Sequence, residues 1–230
     1  MKKFAVIVAG GSGTRMGSII PKQFLLLAGK QVLVHTMEAF LNAYTDLMVI
    51  LVVPANVMTQ VRSQIADNGW ASRIILTDGG ESRFQSVKNG LNLVSEPSIV
   101  FVHDGVRCLV SKDLIQRCYT QALATGSAIP VVTSTDSVRM RTGDSHQVVS
   151  RTDIFLVQTP QTFHSALILP AFRGIAEEAG FTDEATVVEA SGKTVTLIEG
   201  EYTNIKITRP ADLALAEAYL AQKDSSFPQP

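Results

Sequence analysis

The chain has 230 residues, of which 46% are hydrophobic and 18% are charged, a composition typical of a folded globular protein and not of a disordered or fibrous one. Its formal net charge of −1 argues against a general binder of nucleic acid or membrane surfaces, because both partners favour a large basic excess. We therefore expect no nucleic-acid and no membrane partner. The length favours a single domain that spans residues 1–230.

The cysteine content and the amino terminus both bear on the compartment. Cys108 and Cys118 have no partners at metal-ligand spacing, and two cysteines do not make a disulfide framework. The start MKKFAVIVAGG resembles a signal peptide, but its apolar run ends at glycine after a few residues and is too short for one. A reducing compartment, the cytoplasm, is therefore expected.

Short apolar runs alternate along the chain with segments of helical spacing. The runs are continuously apolar, which predicts strands buried on both faces: FAVIV, LMVILVV, RIIL, SIVFVHD and SAIPVV. The helical segments are VLVHTMEAFLNA, NVMTQVRSQIADNG, SRFQSVKNGLNLV and SKDLIQRCYTQALATG. Ser111 is a predicted N-cap, and Gly69 and Gly126 are predicted helix ends. The alternation predicts a mainly parallel α/β sheet with ligands at the carboxyl ends of its strands.

The segment 133–151, TSTDSVRMRTGDSHQVVSR, departs from this pattern. Apolar and polar residues alternate on both sides of a TGDS turn, which predicts a β-hairpin. The open edges of such a hairpin are either packed against the domain or covered by a second chain. The composition leaves both alternatives open.

The first run leads into the glycine-rich stretch AGGSGTRMGSIIPKQF. A dinucleotide fingerprint would need its third glycine where Met16 stands, and a Walker loop would need a G-K-[ST] string that is absent. What remains is a glycine turn around Gly11 and Gly13 whose amides can bind phosphate, followed by the cations Arg15 and Lys22. The alternative is a tight turn with two solvated cations.

Two further strings follow strands. In TDGGESRFQSV, Gly80 permits a close backbone approach, and backbone groups with the Ser86 hydroxyl could read the edge of a base. In SIVFVHDGVR, Asp104 at the carboxyl edge of the sheet is placed to hold Mg²⁺ on a phosphate, with Arg107 close behind it. For the first string, the alternative is an ordinary β-to-α turn. For the second string, the alternatives are that Asp104 only caps the following turn and that His103 has a structural role.

Two strings lie towards the carboxyl terminus. In NIKITRP, Lys206 stands between two isoleucines, and a strand there would point it to the opposite face from them. Pro210 then begins a helix. In GFTDEATVVE, Thr182 is a predicted N-cap, with Asp183 and Glu184 in a first helical turn where the dipole favours acids.

In order, these strings read AGGSGTRMG…PKQF, GG-x-x-R-x-x-S-V, HDGVR, R-x(6)-QTPQTF, TDEA and NIKITRP. Together they closely resemble the 2-C-methyl-D-erythritol 4-phosphate cytidylyltransferase family of the non-mevalonate isoprenoid pathway over nearly the whole chain. The resemblance implies a Rossmann-like nucleotidyl-transferase α/β fold and a homodimer formed through a β-arm, which matches the hairpin at 133–151. It also implies CTP and a sugar-alcohol phosphate as substrates, with Mg²⁺ as the divalent metal.

The resemblance also implies roles for residues at matching positions. Arg15 and Lys22 match the pair that stabilises the transition state, and Lys206 matches a lysine that bridges the phosphates. Asp104 matches the acid that contacts metal and substrate. Arg107 is retained at the matching position of the next turn, where the family often has the string HDAARP.

The remaining implied roles concern the base and the acceptor. Gly80, Glu81 and Ser86 match the positions that recognise cytosine and ribose, although the family often has Asp where this chain has Glu81. Arg151 and Thr182 match residues that hold the acceptor phosphate, reaching across from the other subunit.

Other classes of protein remain as alternatives. Ribitol-5-phosphate cytidylyltransferases share the glycine loop and the PKQF, QTPQ and NIKIT strings. Sugar-nucleotide pyrophosphorylases share only a similar opening loop. A non-catalytic nucleotide sensor on the same scaffold would be expected to lack one of the charged residues, all of which are present here. The failed glycine spacing excludes a dehydrogenase.

Overall fold

The computed structural model describes residues 1–11, 20–175 and 180–224. The strands of this part of the chain are β1 (Lys2–Val8), β2 (Leu26–Leu27), β3 (Lys30–Gln31), β4 (Leu47–Val53), β5 (Ile74–Asp78), β6 (Ser98–Asp104), β7 (Ser127–Thr133), β8 (Val138–Thr142), β9 (Ser145–Val149), β10 (Phe155–Val157), β11 (Gln161–His164) and β12 (Leu197–Glu199). The helices are α1 (Val32–Ala43), α2 (Met58–Asp67), α3 (Arg83–Leu91), α4 (Lys112–Thr125), α5 (Ser165–Gly174), α6 (Glu184–Ala190) and α7 (Pro210–Asp224).

The central sheet has the strand order β10-β7-β11-β6-β1-β4-β5, and β12 pairs with β7. Strand β1 lies between β6 and β4 and is parallel to both, and β5 is parallel to β4. Strands β10 and β11 run antiparallel to β7. The sheet is therefore mainly parallel, as the strand–helix alternation predicts.

The sheet is covered on both faces, which explains the continuously apolar strands. In β1, Ala5 and Ile7 belong to a core cluster that includes α1 and α4, whereas Phe4 and Val6 belong to a second cluster that includes α3 and α5. Successive side chains of a strand point to opposite faces, so burial on both sides requires an apolar residue at every position. None of the helices in the described part of the chain has the length and hydropathy of a membrane-spanning segment.

The predicted helix ends and the hairpin are confirmed. The Ser111 hydroxyl accepts a hydrogen bond from the Leu114 amide at the start of α4, and Gly126 ends that helix with a positive φ of 93°. Gly69 follows α2 with a φ of 70°. Strands β8 and β9 form an isolated antiparallel pair within 133–151, closed by a turn at Gly143. We call this pair the arm.

Two local predictions are wrong. Residues 204–208 form no strand, because the backbone of this segment bonds irregularly, with the Ile207 amide donating to the Val106 carbonyl. The alternation nevertheless holds, since Ile207 is fully buried and Lys206 is not. The N-cap of α6 is Asp183 and not Thr182, because the Asp183 carboxylate accepts the Thr186 amide at 2.9 Å.

Candidate active site

A cavity of about 480 Å³ opens at the carboxyl ends of β1 and β6. The parallel register pairs Val8 with Asp104, so the start of the glycine loop lies directly beside the acid that ends β6. The lining residues come from separate strings of the sequence: Val8, Ala9, Gly10, Gly11, Lys22, Gln23, Gly80, Glu81, Ser82, Arg83, Ser86, Asp104, Val106 and Lys206. The fold thus gathers the start of the glycine-rich stretch at Gly10 and Gly11, the GGES turn, the HDGVR turn and NIKIT around one space.

The carboxylate of Asp104 is contacted by three cationic side chains of the described chain. Lys206 Nζ lies 2.8 Å from Asp104 Oδ2. On the other oxygen, Arg83 Nε and Nη2 each lie 3.3 Å from Asp104 Oδ1. Arg107 Nε is 3.7 Å from Oδ2, an ion pair that is too long for a hydrogen bond. The acid is therefore held in place by positive charge on both of its oxygens.

These contacts fix the protonation of the site. Burial by itself raises the pKa of Asp104, but the charges of Arg83 and Lys206 outweigh it and hold the pKa of the carboxyl far below its usual range. Burial lowers the pKa of His103 to about 3. The His103 ring is bonded at both nitrogens, to the Arg107 carbonyl at 3.1 Å and to the Thr159 hydroxyl at 3.0 Å. Asp104 is thus a carboxylate, and His103 is a neutral ring with both nitrogens bonded.

The depressed pKa of Asp104 predicts a pH dependence of stability. Because the folded-state pKa is lower than the unfolded value of about 4, the contribution of Asp104 is complete above that value and is lost as pH falls below it. We expect Asp104→Asn to lower the free energy of unfolding near pH 7. The difference between the two proteins should shrink below about pH 4, where the wild-type carboxyl also protonates during unfolding. Urea unfolding of the wild type and of Asp104→Asn at a series of pH values from 7 downward measures this difference. A difference in the free energy of unfolding that stays constant with pH would contradict the prediction.

Lys22 connects the glycine loop to the NIKIT segment. Its side chain is buried, and Nζ donates a hydrogen bond to the Ile207 carbonyl at 3.0 Å. The next residue, Gln23, donates from Nε2 to the Ala9 carbonyl at 2.8 Å and so ties the same turn to the end of β1. The ammonium group of Lys22 is therefore held beside the segment that carries Lys206.

The turn before α3 is stabilised by Ser86. Its hydroxyl accepts the Gly80 amide at 3.0 Å and donates to the Ser82 carbonyl at 2.8 Å. A Cβ on Gly80 would lie 2.2 Å from Gln85 Cγ, so a side chain at this position would displace the helix start. The exposed Glu81 side chain and the backbone of this turn line the cavity. The reading of a base by Gly80, Glu81 and Ser86 stays a prediction.

Two glutamines of the QTPQTF string attach loops of the site to the sheet, a role that sequence reasoning missed. Gln158 forms a two-point contact with the Glu201 backbone: Nε2 donates to the carbonyl at 2.8 Å and Oε1 accepts the amide at 3.1 Å. A Cβ on Gly200 would lie 2.5 Å from Gln158 Oε1, so glycine is needed there. Gln161 Oε1 accepts the Ala185 amide at 2.8 Å and fixes the start of α6.

Arg83 and Glu184 form a pair that the sequence analysis also missed. Arg83 Nη1 lies 2.5 Å from Glu184 Oε1, and Nη2 lies 3.1 Å from Oε2. Burial raises the pKa of the Glu184 carboxyl, which is 1% exposed, although the charge of Arg83 opposes this shift. The only signal in the sequence was the TDEA string itself, because the two partners are 101 positions apart.

The other predicted residues are placed as follows. Arg15 and Gly13 lie outside the described residues, whereas Gly11 lines the cavity. Arg107 lies beside Asp104 and donates from Nη1 to the Asn204 carbonyl at 2.9 Å. Arg151 and Thr182 are exposed and do not line the cavity within one chain. Arg151 follows the arm and donates to the Thr135 carbonyl at 3.1 Å.

The donor set at Asp104 fits one divalent metal such as Mg²⁺. Within the described residues no cluster of three or more potential metal-binding acids, histidines or cysteines occurs, so the protein alone builds no metal cage. Mg²⁺ is usually bound by one or two carboxylates together with substrate phosphates. An ionised carboxylate that lines a cavity beside the cationic side chains of Lys22 and Lys206 has that chemistry.

A mainly parallel sheet whose carboxyl edge brings Gly10 and Gly11, an ionised acid and converging cations around one cavity has the architecture of a nucleotidyltransferase. The family model of 2-C-methyl-D-erythritol 4-phosphate cytidylyltransferase (IspD) matches residues 4–222. The enzyme of that name from Bacteroides fragilis is 46% identical, and the match covers 96% of this chain and 100% of that enzyme. The enzyme of that name from Geobacillus kaustophilus is 38% identical, and the match covers 95% of this chain and 97% of that enzyme.

Solved structures agree with the sequence comparison. The structure of 4-diphosphocytidyl-2C-methyl-D-erythritol synthase from Anaerococcus prevotii has a TM-score of 0.83 and 28% identity, and the match covers 96% of both chains. The structure of 2-C-methyl-D-erythritol 4-phosphate cytidylyltransferase from Thermus thermophilus has a TM-score of 0.75 and 33% identity, covering 96% of this chain and 100% of that one. The chain belongs to the 2-C-methyl-D-erythritol 4-phosphate cytidylyltransferase family, and the predicted nucleotidyltransferase fold is confirmed.

Proposed function

We propose that this chain joins CTP and 2-C-methyl-D-erythritol 4-phosphate, giving 4-diphosphocytidyl-2-C-methyl-D-erythritol and pyrophosphate in the non-mevalonate route to isoprenoid precursors. The observation that carries the proposal is the convergence of Lys22, Lys206 and Asp104 on one cavity, in a chain of this family. Two polyanions must meet there, and preorganised positive charge is what such an encounter requires.

The reaction is an in-line displacement at phosphorus. An oxygen of the acceptor phosphate attacks the α-phosphorus of CTP, the new P–O bond forms, and the bond to the β-phosphate breaks, so that pyrophosphate leaves with its electron pair. Lys22 and Lys206 stabilise the charge on the phosphoryl oxygens, together with Arg15 of the glycine loop. Lys206 is 41% exposed at its side chain, which lets it turn from Asp104 to a phosphate.

The acceptor phosphate is already ionised near neutral pH, so the displacement needs no general base. The neutral, fully bonded His103 agrees with this, because it has no free nitrogen with which to accept a proton. Mg²⁺ held by Asp104 would supply Lewis-acid stabilisation of the phosphates. The GGES turn, through Gly80, Glu81 and Ser86, is the proposed site of the cytosine and ribose.

We also propose that the active protein is a homodimer built through the arm. Exposed apolar side chains follow the arm on β10, where Phe155 is 49% and Leu156 is 50% exposed. Phe155 also lines a cavity of about 590 Å³ bordered by β7, β10 and β12. Such a patch is typical of an interaction surface. In a dimer, Arg151 at the end of the arm would contact the acceptor phosphate in the partner's site, and Thr182 would contribute to the same subsite.

The arm assignment predicts that Val148→Asp weakens the dimer. Val148 is 71% exposed on β9, and a buried aspartate there would lack a partner in the interface. Sedimentation velocity should show monomer at concentrations where the wild type is dimeric, and kcat/KM should fall with the dimer because Arg151 is lost from the site. Leu93→Asp, at a position 43% exposed in the turn after α3, is the matched control. Equal sedimentation of the wild type and Val148→Asp would contradict the assignment.

The proposed compartment is the cytoplasm. Cys108 and Cys118 are both free and buried, and burial raises the pKa of each thiol to about 12. They pack in the hydrophobic clusters, and they need no oxidising environment.

The reaction class is tested by identifying the products. The purified protein is incubated with methylerythritol phosphate, Mg²⁺ and each of CTP, UTP and ATP in turn, and the products are followed by ³¹P NMR. A new diphosphodiester signal together with pyrophosphate, strongest with CTP and absent with EDTA, is the expected result. No reaction with any nucleotide would instead favour the nucleotide-sensor alternative.

A further inference from the structure

Glu184 is a buried carboxylate that has no part in the mechanism above. It begins α6, yet its side chain turns away from solvent and is held by the guanidinium of Arg83 through two contacts. Gln161 fixes the helix start from the other side, since its Oε1 accepts the Ala185 amide and its Nε2 donates to Asp183 Oδ2 at 3.1 Å. The position of Glu184 relative to Arg83 is therefore set by the sheet and not by solvent.

Arg83 faces two carboxylates at once. Two of its nitrogens contact Glu184, while Nε and Nη2 lie 3.3 Å from Asp104 Oδ1. Lys206 lies on the other oxygen of Asp104, at 2.8 Å. A guanidinium shared between two acids presents less net positive charge to each than it would to one alone.

The sharing of Arg83 between two carboxylates matters because Asp104 has to attract a metal cation while cationic side chains surround it. Arg83, Arg107 and Lys206 all lie within 4 Å of its carboxylate, and each of them opposes the approach of a divalent metal. Lys206 can move to the substrate phosphates, but Arg83 is only 31% exposed and stays in place. Among the described residues, the second carboxylate in contact with this group of charges is Glu184.

We propose that Glu184 is a positioning residue that offsets the charge of Arg83 and so keeps Asp104 able to bind a divalent cation. The inference rests on the proposed metal-binding role of Asp104. It makes two predictions of opposite sign for Glu184→Gln. The added net positive charge weakens the binding of a metal cation, whereas it leaves unchanged or strengthens the binding of a metal-free polyanion. A carboxylate with a merely structural role would weaken both when it is removed.

The experiment measures both affinities on the full-length protein. Mn²⁺ binding in the presence of CTP is followed by EPR, and binding of inorganic pyrophosphate in EDTA is followed by calorimetry. For E184Q we expect Mn²⁺ affinity to fall roughly tenfold, the size expected for one unit charge displaced at short range in a partly screened site. Pyrophosphate affinity should equal or exceed that of the wild type. Glu189→Gln removes the same charge from an exposed position of α6 and should change neither affinity.

The double variant R83Q/E184Q tests directly whether Glu184 offsets the charge of Arg83, because it removes both buried charges together. Its Mn²⁺ affinity should be equal to or higher than that of the wild type, because cation and counter-ion are lost as a pair. If E184Q does not fold, the double variant alone tests the proposal. In that case, a Mn²⁺ affinity of the double variant below the wild-type value overturns the proposal. Unchanged Mn²⁺ binding in folded E184Q would also overturn it, with the role of Asp104 left standing. Failure of the wild type to bind Mn²⁺ with CTP overturns both.

Discussion

Replacing Lys22 by alanine is expected to lower kcat by a factor of about 10² to 10³, the usual cost of removing one preorganised charge from a developing oxyanion. Lys22 lines the cavity, and its ammonium group is held beside the NIKIT segment by its bond to the Ile207 carbonyl. Because the loss falls on the transition state, KM for CTP should rise much less than kcat falls.

Two controls separate the loss of the positive charge from any structural damage caused by the Lys22→Ala substitution. Lys22→Arg keeps the positive charge and should recover part of the lost turnover, since a guanidinium also binds phosphate oxygens. Lys30→Ala removes a lysine whose ion pair with Glu38 lies outside the cavity, and it should leave kcat unchanged. Steady-state kinetics and thermal unfolding of the three variants provide the measurement. Near-normal turnover in folded Lys22→Ala would remove Lys22 from the catalytic assignment.

Replacing Asp104 by asparagine is expected to lower kcat by about two orders of magnitude or more, because a metal on transferring phosphates supplies several kcal/mol of stabilisation. The substitution keeps the shape of the side chain but removes the charge that Arg83 and Lys206 surround. The Mg²⁺ concentration needed for half-maximal rate should rise strongly. Metal-free CTP should bind at least as well as it does to the wild type, since one negative charge has left the site.

Asp113→Asn is the matched control for this substitution. Asp113 pairs with Arg117 on the exposed surface of α4, where its side chain is 74% exposed. Its loss should alter neither kcat nor the Mg²⁺ requirement. If Asp104→Asn showed the wild-type Mg²⁺ dependence, the metal would have to be held by other groups.

The strands and helices of the sheet were predictable because the signal for each is local. Burial on both faces leaves continuously apolar strands such as LMVILVV, and the caps at Ser111 and Gly126 depend on neighbouring residues alone. The errors arose where local pattern and tertiary contact differ. At 204–208 the alternation of side chains is set by the attachment of Ile207 to Val106 and not by a sheet partner.

The site was predictable only in part, for a related reason. Asp104 and Lys206 could be selected because each stands in a recognisable string near the end of a predicted element. Their 2.8 Å contact, and that of Lys22 with a carbonyl 185 positions away, depend on the way the chain folds back on itself. The local sequence predicts only that Glu184 complements the helix dipole, since nothing local indicates a partner on α3. Buried ion pairs between distant segments leave no periodic trace in a single sequence.

A comparison of the two candidate acceptors tests the proposed reaction most directly. The protein is incubated with CTP, Mg²⁺ and either methylerythritol 4-phosphate or ribitol 5-phosphate, and pyrophosphate release is followed at matched concentrations. We expect rapid release with methylerythritol phosphate and little or none with ribitol phosphate. Release with ribitol phosphate alone would contradict the assigned reaction, although the fold and the charged cavity would stand.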